Sequence, residues 1–253
     1  MGSRARVVSA GQHSLVPEIA GGILVPLDDL DEAVRLVVAD TLACDAAAVV
    51  GTDDSTVELA SRIAVALGLR HNPVESVRAA RRKDEARAVL ADSGCKVPRF
   101  HVIDATADLA PQVCSLDYPV VLKPVALSGS RGVIRADSDE EALAACRRIA
   151  SIASNALDAD SRRWILAEEY VDGPEVAVEG LLSNGRLRML AVFDKPDPLV
   201  GPYFEETLYV TPSRVHESLL QEVELELQKA CETFGLREGP VHAEFRLGGG
   251  VPW

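Results

Sequence analysis

Residues 118–135, Tyr-Pro-Val-Val-Leu-Lys-Pro-Val-Ala-Leu-Ser-Gly-Ser-Arg-Gly-Val-Ile-Arg, constrain the fold more than any other stretch. Val120, Val121, Leu122, Val125 and Ala126 read as a buried strand carrying one lysine, Lys123. The small-residue loop Ser128-Gly129-Ser130-Arg131-Gly132 follows, and Val133-Ile134 resumes the strand pattern. Glycine and serine let backbone N–H groups converge on an anion, and an ammonium on the neighbouring strand adds a full charge, so the pattern suits phosphate. A Walker loop is excluded, because there the lysine closes the glycine run and opens a helix, whereas here it precedes a loop that leads into a strand. The same residues also fit a plain β-hairpin, with Arg131 solvated and Lys123 reaching out from a sheet edge.

Upstream, Val7–Gly11 and Ile23–Leu27 read as strands around a polar, turn-like Gln12–Gly22. Asp28 or Asp29 caps a helix with Leu30, Ala33, Val34, Val37, Val38 and Leu42 on its apolar face. Ala46–Val50 reads as a strand, and Ser55 with Glu58 as a capping box for a helix that Gly68 stops. Alternating strands and helices predict an α/β fold with a parallel sheet in this part. Only about two βα units are present where a free-standing doubly wound domain has more. Asn72–Arg82 reads as a polar connector, and Lys83 stands at the start of a helix over Asp84–Ala91.

Downstream, Phe100–Ile103 reads as a strand, Leu109–Cys114 as a short helix, Ser138 with Glu141 as a helix cap, and Asp158–Arg163 as a loop. Trp164–Val171 reads as a strand and its continuation, stopped by Asp172-Gly173-Pro174. Glu175–Leu182 and Leu187–Phe193 form a hairpin about Asn184-Gly185. After a loop over Gly201–Thr211, a long helix begins at Ser213, and Pro240–Leu247 is the last strand. Alternation places Val241, Ala243 and Phe245 on one face of that strand and His242, Glu244 and Arg246 on the other. Three ionisable groups on one face line either water or a polar site. Glu175 and Glu179 likewise share a face.

A net charge of −13 argues against a nucleic-acid surface, since the one basic run, Arg78–Lys83, is broken by alanines and followed by acids. Five widely spaced cysteines show no zinc pattern and suit a reducing compartment. The apolar runs are too short to span a bilayer, and no signal-peptide core follows Met1. The expected setting is cytoplasmic, without membrane or nucleic-acid partners.

In order, these pieces resemble the ATP-grasp superfamily: the lysine at a helix start, the strand Leu122-Lys123-Pro124, the Gly/Ser loop, Glu168-Glu169-Tyr170-Val171, Gly173-Pro174-Glu175, and the late acidic strand. The resemblance spans essentially the whole chain. It implies an incomplete Rossmann-like domain over residues 1–80 and an ATP-grasp domain of α+β character over 81–253. Val178-Glu179-Gly180, Phe193-Asp194-Lys195 and Gly201-Pro202-Tyr203-Phe204-Glu205-Glu206-Thr207 resemble carboxylate–amine ligases of the L-amino-acid ligase and carnosine synthase type. Biotin carboxylases usually carry a histidine-led motif where this chain has Pro174-Glu175-Val176.

The resemblance implies that Lys83 and Lys123 contact ATP phosphates, and that Ser128, Gly129, Ser130 and Gly132 close over the β- and γ-phosphates. It implies that Glu168, Glu169 and Val171 hold adenine, largely through backbone groups, that Glu175 takes the ribose hydroxyls, and that Glu244 is the first of two acidic ligands for Mg2+, with Mn2+ as an alternative. The implied reaction joins a small carboxylate to an amine through an acyl phosphate, in a monomer or a homodimer. An ATP-dependent carboxylase and a non-catalytic nucleotide-binding module are the alternatives. The second metal-binding acid of the superfamily lies on a strand beyond the final turn, so a fragment of a longer ligase is expected, weakened or inactive alone. Lys123 is expected to serve charge rather than packing, while Lys195, Glu205, Glu206 and His242 receive no role.

Overall fold

The computed structural model describes residues 7–9, 22–40, 45–154, 156 and 159–253. Met1–Arg78 form one compact unit and Ala79–Trp253 a second.

In the first unit, β1 (Val8–Ser9) pairs in parallel with β2 (Ile23–Leu24). Ala33 and Val37 of α1 (Leu30–Ala39) and Leu59 and Ile63 of α2 (Val57–Ala66) close a small core with Val25. The Asp29 carboxylate caps α1 by accepting from the Glu32 amide at 3.0 Å. Three expectations fail here. Ala46–Val50 is not a strand. The Ser55–Glu58 capping box is not made: Ser55 turns to Asp53, and Glu58 is buried against Arg62 and Arg78, each at 2.9 Å. Asn72–Arg82 contains a helix, α3 (Val74–Arg81), because burial of Val77 and the Arg78–Glu58 pair outweigh its polar composition. The turn-like reading of Gln12–Gly22 lies outside the described residues apart from Gly22.

The second unit contains two four-stranded antiparallel sheets. The first has the order β3 (Phe100–Asp104), β6 (Trp164–Glu169), β4 (Val120–Pro124), β5 (Ile134–Ala136). Between these strands run α4 (Lys83–Asp92), preceding β3, then the short α5 (Ala110–Val113) and α6 (Asp139–Ala153). Ala142, Ala145, Cys146 and Ile149 of α6 pack on Val120, Leu122, Ile134, Ile165 and Ala167. The period of two in β4 therefore sends Val121 and Lys123 to the opposite face. β4 and β5 form a hairpin, pairing antiparallel from Val120↔Ala136 to Leu122↔Ile134, but β4 lies between β6 and β5, so Lys123 does not reach out from a sheet edge. The expected loop over Asp158–Arg163 holds a short helix, α7 (Ala159–Arg163).

The second sheet has the order β10 (Val251–Pro252), β9 (Gly239–Gly248), β7 (Glu175–Ser183), β8 (Arg186–Lys195). Val223, Leu227 and Cys231 of α8 (Glu217–Phe234), one turn apart, pack beneath Val176, Val178 and Val192. This leaves Glu175, Glu179, His242, Glu244 and Arg246 on the other face. The helix starts four residues later than expected, because the Ser213 hydroxyl and the Arg214 amide bond the Asp194 carboxylate and tie that segment to the end of β8.

The link between the sheets presses against β9. A Cβ added at Gly173, where φ is +128°, would sit 2.7 Å from the Leu247 carbonyl oxygen, while Leu247 N–H donates to Pro174 O at 2.8 Å. Gly173→Ala is expected to destabilise the chain by about 2 kcal/mol, read as a lower urea midpoint at unchanged slope. An unchanged midpoint would mean the link yields without cost.

Candidate nucleotide and carboxylate-cluster site

Lys123 projects from β4 onto the face away from α6 and ion-pairs with Glu168 of β6. Glu168 is 4% exposed, and Arg87 of α4 pairs with its other oxygen. Burial opposes this carboxylate charge, but Lys123 and Arg87 overcome it and hold the pKa at about 2. The resemblance implied that Glu168 holds adenine largely through its backbone, which leaves its side chain free to serve as counter-ion to Lys123. Arg87 was missed, because nothing in its helical neighbourhood singles out its partner across 81 residues.

Lys83 opens α4, its Nζ donating to Leu127 O at 2.7 Å and its amide to Val125 O at 2.9 Å. The lysine is thus tied to the start of the Gly/Ser loop. In that loop Gly129, Ser130 and Gly132 all have positive φ, at 65°, 51° and 76°. The Arg131 guanidinium donates back to Ser128 O at 3.1 Å. Glu169 is drawn to Arg99 at 2.9 Å, and Val171 is half-buried.

A second cluster stands on the polar face of the other sheet. Lys195 ends β8 with a fully buried side chain, and its ammonium donates to Glu175 at 2.6 Å, to Glu206 at 2.9 Å and to Glu244. The second oxygen of Glu175 accepts from Arg246 Nε at 2.8 Å. The second oxygen of Glu206 accepts from the Tyr209 hydroxyl. Burial works against the Lys195 charge, yet the bonds from Glu175, Glu206 and Glu244 outweigh it and raise its pKa. Burial also opposes the Glu244 charge, but His242 and Lys195 hold that carboxyl at about 2. His242 bonds Glu179 at 2.8 Å, and the neighbouring Glu244 and Glu179 carboxylates push its pKa up to about 9.

Glu206 also joins the two halves, since the Ser130 hydroxyl of the Gly/Ser loop lies 3.5 Å from it. The structure therefore groups Lys123 with Glu168, Lys83 with the loop, and Glu175 with Glu244, and adds Lys195 and Glu206. The carboxylate oxygens of Glu175, Glu206 and Glu244 lie within 4.8 Å of one another, an all-oxygen set that fits a hard divalent cation. A cleft of about 680 Å³ beside the cluster is bordered by Tyr170, Glu175, Lys195 and Arg246, but not by Lys83, Lys123 or the Gly/Ser loop.

The ATP-grasp domain model matches residues 116–251, more than half of the sequence. The chain belongs to the ATP-grasp family. It is 26% identical over 227 residues to an alanine–anticapsin ligase of Bacillus amyloliquefaciens, covering 83% of this chain and 47% of that protein. It is likewise 26% identical over 161 residues to a D-alanine–D-alanine ligase of Cupriavidus metallidurans, covering 61% and 46%. Among solved structures, an L-amino acid ligase from Bacillus licheniformis superposes with a TM-score of 0.75 at 28% identity, covering 92% of this chain and 54% of that one. The chain thus spans about half the length of the ATP-grasp relatives it matches. No helix among the described residues is long and apolar enough to cross a membrane.

Proposed function

We propose that this chain carries the nucleotide-binding and activating site of an ATP-dependent carboxylate–amine ligase that works through an acyl phosphate. The observation that supports this most is the convergence of Lys195, Glu175, Glu206 and Glu244 beside Ser130 of the Gly/Ser loop, in a family whose similar members are amino-acid ligases.

In this reading Lys83, Lys123 and Lys195 supply the positive charge that offsets the phosphates, and the amides of Ser128, Gly129, Ser130 and Gly132 supply donors. The backbone of Glu168, Glu169 and Val171 borders adenine, and Glu175 takes the ribose hydroxyls with the lone pairs its two cations leave. Glu244, with Glu175 and Glu206 beside it, would hold Mg2+, which neutralises phosphate charge when bound. A substrate carboxylate oxygen attacks the γ-phosphorus and ADP leaves. The amine then attacks the acyl carbon, phosphate leaves, and the nitrogen gives up a proton. The four described cysteines are free thiols, which supports a reducing, cytoplasmic setting.

The test is phosphate release with Mg2+, ATP and pairs of amino acids, run beside the same mixture with bicarbonate alone. Release that needs an amino-acid pair, with hydroxylamine trapping an acyl hydroxamate, is the expected result. Release that depends only on bicarbonate would replace the ligase with a carboxylase.

A further inference from the structure

Tyr170 lies in the link between the two sheets and touches one arginine from each. Arg135 of β5 stacks over its ring at 4.2 Å from the centroid, and Arg246 of β9 approaches to 5.9 Å. Asp137 holds Arg135 at 2.7 Å, and Glu175 holds Arg246 at 2.8 Å. Of their other donors, Arg246 Nη2 reaches Leu199 O and Arg135 Nη1 reaches Val200 O, consecutive carbonyls of one loop, both at 2.9 Å, while Arg246 Nη1 donates to Gly173 O at 3.1 Å.

The same loop is laid along the outer edge of β5. Arg135 N–H donates to Pro202 O at 2.9 Å, and Ile134 forms an antiparallel bridge with Tyr203. Gly201 permits the approach, with φ at +92° and an added Cβ only 2.8 Å from Arg135 Cβ. Phe204 then lies against the Arg246 guanidinium at 5.6 Å, and Glu206 follows within two residues.

A guanidinium on a long stem has many rotamers, and an aromatic face together with a carboxylate removes most of them. Because the two arginines come from different sheets, the loop they pin cannot slide along β5 without breaking contact with β9. We propose that Tyr170 is a positioning residue, whose ring orders Arg135 and Arg246 and thereby sets the place of the loop and of Glu206. This rests on the reading of Glu206 as part of the nucleotide site.

Amide hydrogen exchange on the full chain without nucleotide tests the proposal, because the Arg135 amide reports its bond to Pro202 directly. Tyr170→Phe gives up a hydroxyl that lies 3.5 Å from Asp172 and also reaches Arg135, but it keeps the ring under both guanidinium groups and should exchange close to the wild type. Tyr170→Leu should speed exchange at Arg135 by about tenfold while α6 stays protected. Unchanged exchange at Arg135 in Tyr170→Leu overturns the proposal. Should Tyr170→Leu lose protection throughout, Tyr170→Met is read by the same criterion, and general loss in both overturns the proposal in favour of a purely structural tyrosine. In a parallel titration with Mg2+ and a fluorescent ATP analogue, affinity should fall about tenfold in Tyr170→Leu. A wild-type chain that binds no nucleotide would sink the functional reading and leave the exchange result to decide the role of Tyr170.

Discussion

Lys195→Met is expected to be the most damaging single substitution at the cluster, lowering stability by about 3–5 kcal/mol. The side chain is fully buried, and its ammonium meets three carboxylates, of which Glu175 and Glu206 are 14% and 18% exposed. Methionine keeps the stem and removes the charge, leaving three acids without their shared cation. Because the folded pKa of Lys195 is raised, its contribution is fully present below the ordinary lysine range and is lost only in strong alkali, so the whole effect shows at pH 7. A second measurement separates charge from packing. Millimolar Mg2+ should raise the melting temperature of Lys195→Met more than that of the wild type, since a divalent cation can replace the ammonium among the three acids. Equal shifts in the two proteins would count against the cluster as a cation site.

Lys123→Met is expected to cost about 3 kcal/mol, more than a lysine kept only for a ligand's charge would. The sequence suggests that the ammonium serves a nucleotide, and in the fold it is also one of two cations on the buried Glu168. Removing it leaves Arg87 as the only charged partner of that carboxylate among the described residues. The pH dependence checks the cause. With its pKa held at about 2, Glu168 contributes stability above its unfolded range that is lost only as pH falls through the folded value. In Lys123→Met burial should raise that pKa, so the variant is penalised most at neutral pH and the gap from wild type narrows as pH is lowered toward 4. A gap independent of pH would assign the loss to packing instead.

Local pattern made much of this molecule legible in advance. The period of two along Val120–Pro124 gave the face of Lys123, and the same period in β9 separated Val241, Ala243 and Phe245 from His242, Glu244 and Arg246. Asn184-Gly185 gave the turn of the β7–β8 hairpin, while the register shift between Glu179 and Gly180 had no local mark. Each depends on neighbours within a few residues, where sterics and burial act without help from the rest of the chain. Readings that required a local signal to win over a distant one were less secure. Ser55 and Glu58 look like a capping box, but Glu58 is claimed by Arg78 twenty residues away. Ser213 looks like a helix start, but Asp194 takes both its hydroxyl and the next amide.

The sequence by itself determined the elements that carry Lys83, Lys123, the Gly/Ser loop, Glu175 and Glu244, and their order resembles one family. Only the tertiary structure decided which charges meet. Lys195 and Glu206 stand in stretches that resemble ligases, but nothing local gave either a partner, and they become a cluster because β8, β7 and β9 lie side by side while the 199–206 segment folds back along β5. Coulombic pairing depends on distance in space, and a buried ammonium is tolerated only where several separate strands and loops bring their carboxylates to it at once.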